Sequence, residues 1–197
     1  SVPLTLTSNS IEKIYDGIPF GDTSNTPIES RLVGQSLGLL DGHRVEFDFV
    51  YNNQLFIDGE NASNTFNYSI YDQNDNEVSH IYCIEIHVGT LTTRKRDLKV
   101  RYRSNSWVFD GQYHSDGLIE GTLPDGGTNL AKTDEIVLFE ETPSVYFVGQ
   151  YDNFADFYIS HKGIDVSSYY NFPTYEEMKG NLEITKRQIS IDFNLPQ

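Results

Sequence analysis

Ile14–Gly17 (IYDG) recurs 94 residues later as Val108–Gly111 (VFDG). In each copy an aromatic residue precedes Asp-Gly. Glycine tolerates a positive φ and aspartate accepts hydrogen bonds from nearby backbone N–H groups, so Asp-Gly predicts a chain reversal, with the aromatic ring packed in a core. No nucleophile or base accompanies both copies at a fixed spacing. The pair therefore favours a fold present twice over an active site present twice.

The similarity between the two halves extends on both sides of this motif. The closing segment Gly89–Val100 (GTLTTRKRDLKV) resembles Gly180–Ile191 (GNLEITKRQISI) at an offset of 91. Other matched pairs are Leu4 with Leu98, Leu6 with Val100, and Asn64 with Asn153. The offset drifts by a few residues, as loop insertions would produce. These matches predict two homologous domains, residues 1–96 and 97–197, joined near Lys95 to Leu98 by a short connection that favours an elongated arrangement.

Alternation of apolar and polar residues predicts half-buried strands in both halves. It is found in Val45–Phe49, Phe66–Ile70, Tyr82–Val88, Leu182–Ile184 and Ile189–Phe193. The continuous apolar runs Ile136–Phe139 and Val145–Val148 predict strands covered on both sides. One helical turn is predicted at Thr174–Glu177, ended by Gly180. Short strands separated by turns are typical of an all-β sandwich or barrel.

Composition limits the function classes. The chain has 14 Lys and Arg against 29 Asp and Glu, a formal charge of −15 that repels nucleic acids and anionic membranes. Cys83 is the single cysteine, which leaves no internal disulfide and no cysteine-based metal cluster. No apolar run approaches the roughly 18 residues of a membrane span. We expect neither a nucleic-acid partner, nor membrane insertion of these residues, nor a cofactor. The start Ser1-Val2-Pro3 indicates a piece of a longer protein.

Four segments together resemble the YDG/MBG-type immunoglobulin-like repeats of bacterial surface proteins and adhesins. They are KIYDG (Lys13–Gly17), Asn64–Tyr82, Gly89–Val100 and EITKRQISIDF (Glu183–Phe193). The resemblance covers nearly the whole chain twice and implies two tandem immunoglobulin-like β-sandwich domains. It also implies an extracellular array of such repeats on a bacterial surface, and it carries over no catalytic residue. Ile189–Phe193 then is either the first strand of a further repeat or the end of the last strand of the second.

These expectations combine into a non-catalytic module of a bacterial cell-surface or secreted protein, acting as stalk, spacer or adhesion module. Its expected partners are neighbouring repeats and a host or surface protein or glycan. The alternative is a carbohydrate-binding module pair of a secreted glycan-active enzyme. The five histidines are scattered, and neither a nucleophile motif nor a phosphate-binding loop is present, so we predict no enzymatic activity.

Two segments offer metal-ligand chemistry. Cys83, Glu85 and His87 share one face of a predicted strand, but side chains two apart stand roughly 7 Å from each other. Zinc needs its ligands about 2 Å from one centre, so other strands would have to contribute. Asp72–Glu77 carries oxygen ligands suited to calcium, but Glu77 occupies the sixth position, where a calcium loop needs glycine. A solvated strand face and a hairpin turn are the favoured interpretations.

Two further sites follow from single residue types. Trp107, the sole tryptophan, replaces Lys13 of the first half and is the aromatic residue that we would test as a sugar-binding platform. Unchanged binding of Trp107→Ala to a glycan array would remove it from consideration. A Lys–Asn isopeptide bond would show as loss of ammonia in the intact mass. None of the seven lysines lies in an apolar strand pattern.

Overall fold

The computed structural model describes residues 1–21, 31–52, 54–55 and 60–193. Strands make up 45% of the structure and helices 6%, which confirms the predicted all-β class. The chain divides into two compact units, Ser1–Arg96 and Asp97–Gln197, called unit 1 and unit 2 below. A short strand, Arg96–Asp97, falls at this boundary, within the predicted joint.

In its described residues, unit 1 contains three small sheets. Its strands are β1 (Val2–Ser8), β2 (Ile11–Ile14), β3 (Gly34–Leu37), β4 (Arg44–Phe49), β5 (Asn61–Ser63), β6 (Phe66–Tyr71), β7 (Tyr82–His87) and β8 (Thr90–Arg94). The sheet orders are β3-β1-β7, β2-β8-β5 and β4-β6. Most pairings are antiparallel, but β1 runs parallel to β7 and β2 runs parallel to β8. The start of the unit is therefore paired with its end.

The core of unit 1 is formed by the alternating apolar residues of these strands. Leu4 and Leu6 on β1 are 2% and 0% exposed and pack with Phe66, Ile70 and Tyr82. The predicted alternation on β4 is confirmed, because its valine and phenylalanines pack against this cluster while its two acids are exposed. A second cluster contains Ile11, Phe20 and Leu91.

Unit 2 repeats this layout in part. After β9 (Arg96–Asp97) its strands are β10 (Val100–Tyr102), β11 (Asn105–Val108), β12 (Ile119–Gly121), β13 (Asp134–Leu138), β14 (Gly149–Asn153), β15 (Phe157–His161), β16 (Ile164–Asp165), β17 (Tyr170–Asn171) and β18 (Gly180–Thr185). Its sheets include β10-β12, β11-β18-β14 and β13-β15-β16. Strand β11 runs parallel to β18, as β2 does to β8.

The core of unit 2 uses the residues that match those of unit 1. Leu98 and Val100, the counterparts of Leu4 and Leu6, are 1% and 2% exposed. Tyr102 is equally buried and donates its hydroxyl hydrogen to the carbonyl of Ala155 at 2.5 Å. A further buried cluster consists of Val145, Leu182 and Ile184.

The strand predicted at Val145–Val148 is wrong. Val145 makes one isolated bridge to His114, and strand β14 begins only at Gly149. Val145 is 5% exposed, whereas Phe147 is 72% exposed. Continuous apolar residues predict a strand covered on both sides, but most of this run faces solvent. Phe139, at the end of the other continuous run, also lies outside its strand and is 67% exposed.

The structure of Ile189–Phe193 contradicts one of the two alternatives predicted for this segment. Strand β18 ends at Thr185, and no strand is assigned to Ile189–Phe193. Ile189, Ile191 and Phe193 are 79%, 65% and 84% exposed. This segment is therefore not the end of the last strand of unit 2, because its apolar residues have no partner strand in the part of the chain that the structure describes. Its assignment to a further repeat stays a prediction.

The predicted helical turn is present as α1 (Tyr175–Met178), with Thr174 as its N-cap. Thr174 and Glu177 form a reciprocal capping box, in which the Glu177 side chain accepts from the Thr174 N–H at 2.7 Å. The helix ends directly before Gly180, as predicted, but not through a left-handed glycine cap. Lys179 already has extended backbone angles, and Gly180 is the first residue of β18.

Candidate functional site

The Asp-Gly motifs form the reversals that the sequence predicts. Gly17 and Gly111 have φ of 72° and 78°, values that favour glycine. The Asp110 carboxylate accepts a hydrogen bond from the backbone N–H of Gln112 at 2.9 Å, and Asp16 accepts from Ile18 at the same distance. In unit 2 this turn is followed directly by Tyr113 and His114, the first residues of the candidate site.

The His114 side chain connects the turn to the strand beside it. Its Nε2 donates to the Asp110 carboxylate at 2.9 Å, and its ring stacks on Trp107 with centroids 4.8 Å apart. The hydrogen bond from His114, followed by that from the Gln112 N–H, holds the pKa of Asp110 below its usual value. The loop after the turn is thereby fixed to the end of β11.

A pair of backbone hydrogen bonds joins this loop to the segment before β14. His114 N–H donates to the carbonyl of Val145 at 2.9 Å, and Val145 N–H donates back at 2.8 Å. In such an antiparallel bridge the flanking residues face each other, which brings Tyr113 beside Tyr146 with ring centroids 4.9 Å apart. Two segments distant in sequence thus present aromatic rings side by side.

These rings line an open groove of about 420 Å³, called the aromatic groove below. Its principal lining residues are Tyr113, Pro143, Tyr146, Phe147, Tyr151 and Asp152. Tyr113 and Phe147 are 73% and 72% exposed. Tyr146 stands between them, edge to face with Phe147 at 5.1 Å. The Tyr151 hydroxyl donates to the carbonyl of Phe147 at 3.0 Å, which fixes the loop that carries this ring.

One charged group lies at the rim of the groove. The Asp152 carboxylate accepts from the Tyr175 hydroxyl at 2.8 Å and from Lys179 Nζ at 3.2 Å. The hydrogen bond from Tyr175, followed by that from Lys179, lowers the pKa of Asp152. The rim therefore carries an ionised oxygen acceptor that already has a cationic partner.

The candidate metal ligands of β7 lie on the surface. Cys83 is exposed, and the side chains of Glu85 and His87 are 70% and 56% exposed. His87 Nε2 lies 3.0 Å from a carboxylate oxygen of Glu85. In the described ranges, no three His, Cys, Asp or Glu side chains come together as a group that could hold a metal ion. The structure places these residues on a solvated strand face.

The candidate calcium segment Asp72–Glu77 is a tight turn, closed by an antiparallel bridge between Tyr71 and Glu77. The Asp72 carboxylate accepts from the backbone N–H groups of Asn74 and Asn76 at 2.8 and 2.9 Å. The side-chain hydrogen bond from Asn76 is the largest cause of the lowered pKa of Asp72. The oxygens of Asp72 thus serve the turn itself.

Trp107 is not the exposed platform for which the sequence analysis selected it. It is half-buried against the cluster of Val145, Leu182 and Ile184, and His114 covers one of its faces. The exposed rings of the aromatic groove are those of Tyr113 and Phe147, which the sequence pattern does not single out. The signals beside them are the Asp-Gly turn just before Tyr113 and the proline that precedes Tyr146 and Phe147.

Comparisons of the chain with protein-family models, with curated proteins and with solved structures found no match. The resemblance to YDG/MBG-type repeats accordingly stays a prediction. Nowhere in the described residues is a helix long and apolar enough to cross a bilayer. The case for a function therefore depends on the contacts within each unit.

Proposed function

We propose that this chain is a tandem pair of immunoglobulin-like β-sandwich modules, residues 1–96 and 97–197, in an extracellular protein of a bacterial surface. The pair acts as a non-catalytic stalk or adhesion module. The observation that carries this proposal is that the matched residues of the two halves make the same contacts in unit 1 and in unit 2. The β-rich fold of each unit is consistent with a sandwich.

A buried asparagine provides the first matched contact. Asn64 and Asn153 are both 0% exposed. The Asn64 side chain donates to the carbonyl of Asn9 at 2.9 Å, and the Asn153 side chain donates to the carbonyl of Arg103 at 2.8 Å. Asn9 and Arg103 are themselves 94 residues apart, the spacing of the Asp-Gly motifs. The same amide thus ties the same loop in both units.

The second matched contact involves a serine that begins a short 3₁₀ turn in each unit. The backbone N–H of Ile70 donates to the hydroxyl of Ser79 at 3.2 Å, and that of Ile159 donates to Ser167 at 2.9 Å. Each turn is followed by a buried tyrosine, Tyr82 in unit 1 and Tyr170 in unit 2.

The third matched contact involves the glycine at the start of the closing segment of each unit. A Cβ built on Gly89 would lie 2.1 Å from the carbonyl oxygen of Asn9, and one built on Gly180 would lie 2.3 Å from that of Arg103. Real Cβ atoms do not approach this closely, so both positions need the absence of a side chain. These shared residues hold backbone in place and present no reactive group, which supports a structural module over a duplicated active site.

The exposed segment Ile189–Phe193 is evidence for a further repeat in the parent protein. At an offset of 91 its apolar residues match Leu98, Val100 and Tyr102, which are at most 2% exposed in unit 2. We assign the segment to the first strand of a following module, where the same side chains would be buried. Neighbouring repeats are then the immediate partners of this pair.

The surface assignment is tested with antibodies raised against the purified chain. Applied to intact bacteria that produce the parent protein, they should label cells without permeabilisation, and protease added outside should remove the label. A cytoplasmic protein labelled in parallel controls for cell integrity. Labelling that requires permeabilisation would reject the surface location.

A further inference from the structure

We propose that the aromatic groove of unit 2 binds a neutral carbohydrate. This inference goes beyond the proposed function, because it assigns a ligand to one groove of one unit and holds wherever the parent protein resides. It follows from four properties of the groove: its exposed rings, its rigidity, its hydroxyl groups and its charge.

The exposed rings suit the face of a sugar. Tyr113 and Phe147 leave more than 70% of their surface in water, although most large aromatic residues of a domain are buried. The C–H bonds on one face of a pyranose ring form an apolar surface that packs on the negative face of an aromatic ring. The volume of about 420 Å³ falls within the range of ligand sites, which begins near 300 Å³.

The groove is held in its binding shape before a ligand arrives. The paired hydrogen bonds between His114 and Val145 set Tyr113 beside Tyr146, and the Tyr151 hydroxyl fixes the carbonyl of Phe147. Little conformational entropy is then lost when a ligand binds, so weak stacking contacts are sufficient for measurable affinity.

The polar groups suit hydroxyl ligands. The hydroxyl groups of Tyr113 and Tyr146 make no hydrogen bond to the described part of the chain, although the structure gives both rings aromatic contacts. Each can donate and accept, as a sugar hydroxyl does. Asp152 adds an ionised acceptor at the rim. A mixture of flat apolar faces and hydroxyl-seeking groups matches a carbohydrate.

Charge selects a neutral ligand. The net charge of −15 disfavours sialylated or sulfated glycans. Asp152 is already paired with Lys179, so it is a poor anchor for the basic residues that flank many proline-rich peptides. These peptides also dock in aromatic grooves, and they are the competing class that the experiment must separate.

The test uses the full chain on an array of neutral, sialylated and sulfated glycans, together with a panel of proline-rich peptides. A neutral oligosaccharide that binds on the array is then titrated while the fluorescence of Trp107 is followed. Trp107 packs against the same cluster as Tyr151 and is the sole tryptophan, so it reports on this groove.

Two variants and one matched control assign the site. Tyr113→Ala and Phe147→Ala should each weaken binding about tenfold or more, and both should fold because the residues are largely exposed. Phe139→Ala is the control, since Phe139 is 67% exposed and is not among the residues that line the groove; it should leave the affinity unchanged.

Several results would overturn the inference. The first is that no neutral glycan binds at millimolar concentration. The second is that Tyr113→Ala, Phe147→Ala and Phe139→Ala all bind with equal affinity. The third is that a proline-rich peptide or an acidic glycan binds in preference to neutral glycans. Loss of binding in the Phe139→Ala variant would also reject this groove as the site. Surface labelling of cells tests the proposed function separately, so failure of one proposal leaves the other standing.

Discussion

Trp107 lies against His114 at the two positions where unit 1 has Lys13 and Phe20. The Trp107 and His114 rings stack at 4.8 Å, and Lys13 Nζ lies 4.7 Å from the Phe20 ring centroid. The two residues of each pair are seven positions apart, and each pair supplies a hydrogen-bond donor to the aspartate of its Asp-Gly turn. In unit 1 the donor is Lys13, 2.9 Å from Asp16, and in unit 2 it is His114. The two units have exchanged which position carries the ring and which carries the donor.

This exchange predicts coupling between the two positions. Trp107→Lys alone places a second donor beside His114, and His114→Phe alone leaves Asp110 without its side-chain partner. The double variant rebuilds the pair of unit 1. We expect each single variant to destabilise unit 2, and the double variant to lose less than the sum by about 0.5–3 kcal/mol. Denaturant unfolding followed by circular dichroism measures this, and strict additivity would refute the exchange.

Gly180 should tolerate no side chain. In Gly180→Ala the new Cβ meets the backbone carbonyl of Arg103, which cannot move aside as a side chain can. We expect a loss of about 1–3 kcal/mol or more in the unfolding transition reported by Trp107 fluorescence. Gly117→Ala is the matched control, because its Cβ would lie 3.3 Å from the rotatable Thr142 hydroxyl. Equal stability of the two variants would argue against the backbone contact.

Unit 2 should lose stability at high pH through Tyr102. Burial, opposed by the hydrogen bond to Ala155, raises the pKa of Tyr102 from 10.0 to about 12. The unfolded chain therefore releases this proton first, so the contribution is intact below pH 10 and disappears as the pH rises to about 12. It amounts to at most about 3 kcal/mol. The difference in free energy of unfolding between the unaltered chain and the Tyr102→Phe variant should shrink across this pH window. A difference that does not depend on pH would contradict the role given to Tyr102.

The exposed apolar segment should contribute nothing to unit 2. Replacing Ile189, Ile191 and Phe193 together by serine should change its free energy of unfolding by less than about 0.5 kcal/mol. Leu98→Ala, at the matched buried position, should cost about 2–5 kcal/mol. Trp107 fluorescence during denaturant unfolding measures both. A large loss in the triple serine variant would show that the segment packs on unit 2 and would weaken its assignment to another module.

The features predicted well from sequence are those that local chemistry determines. The Asp16 and Asp110 turns, the alternation on β4 and the Thr174 cap each depend on residues a few positions apart. The sequence predicts Gly180 as the residue that ends the helical turn, but its main structural requirement is a close contact with the backbone of Arg103, 77 residues away. The residue type alone does not distinguish a glycine that ends a helix from a glycine that lies against another part of the backbone.

The aromatic groove was missed for the same reason. It exists because His114 bridges to Val145, 31 residues later, and no periodic pattern marks that pairing. The continuous apolar run Val145–Val148 predicts a covered strand, but such a run fits several structures equally well. Only the folded chain shows that Phe147 faces water.

The parallel pairing of β2 with β8, and of β11 with β18, has a mechanical consequence. When the two ends of a unit are pulled apart, its early strand and its last strand are drawn in opposite directions along their common axis. All hydrogen bonds of the pair then bear the load together and must rupture at once, whereas a hairpin pulled at its open end separates one bond at a time. Each unit is therefore expected to resist tension applied between its two ends.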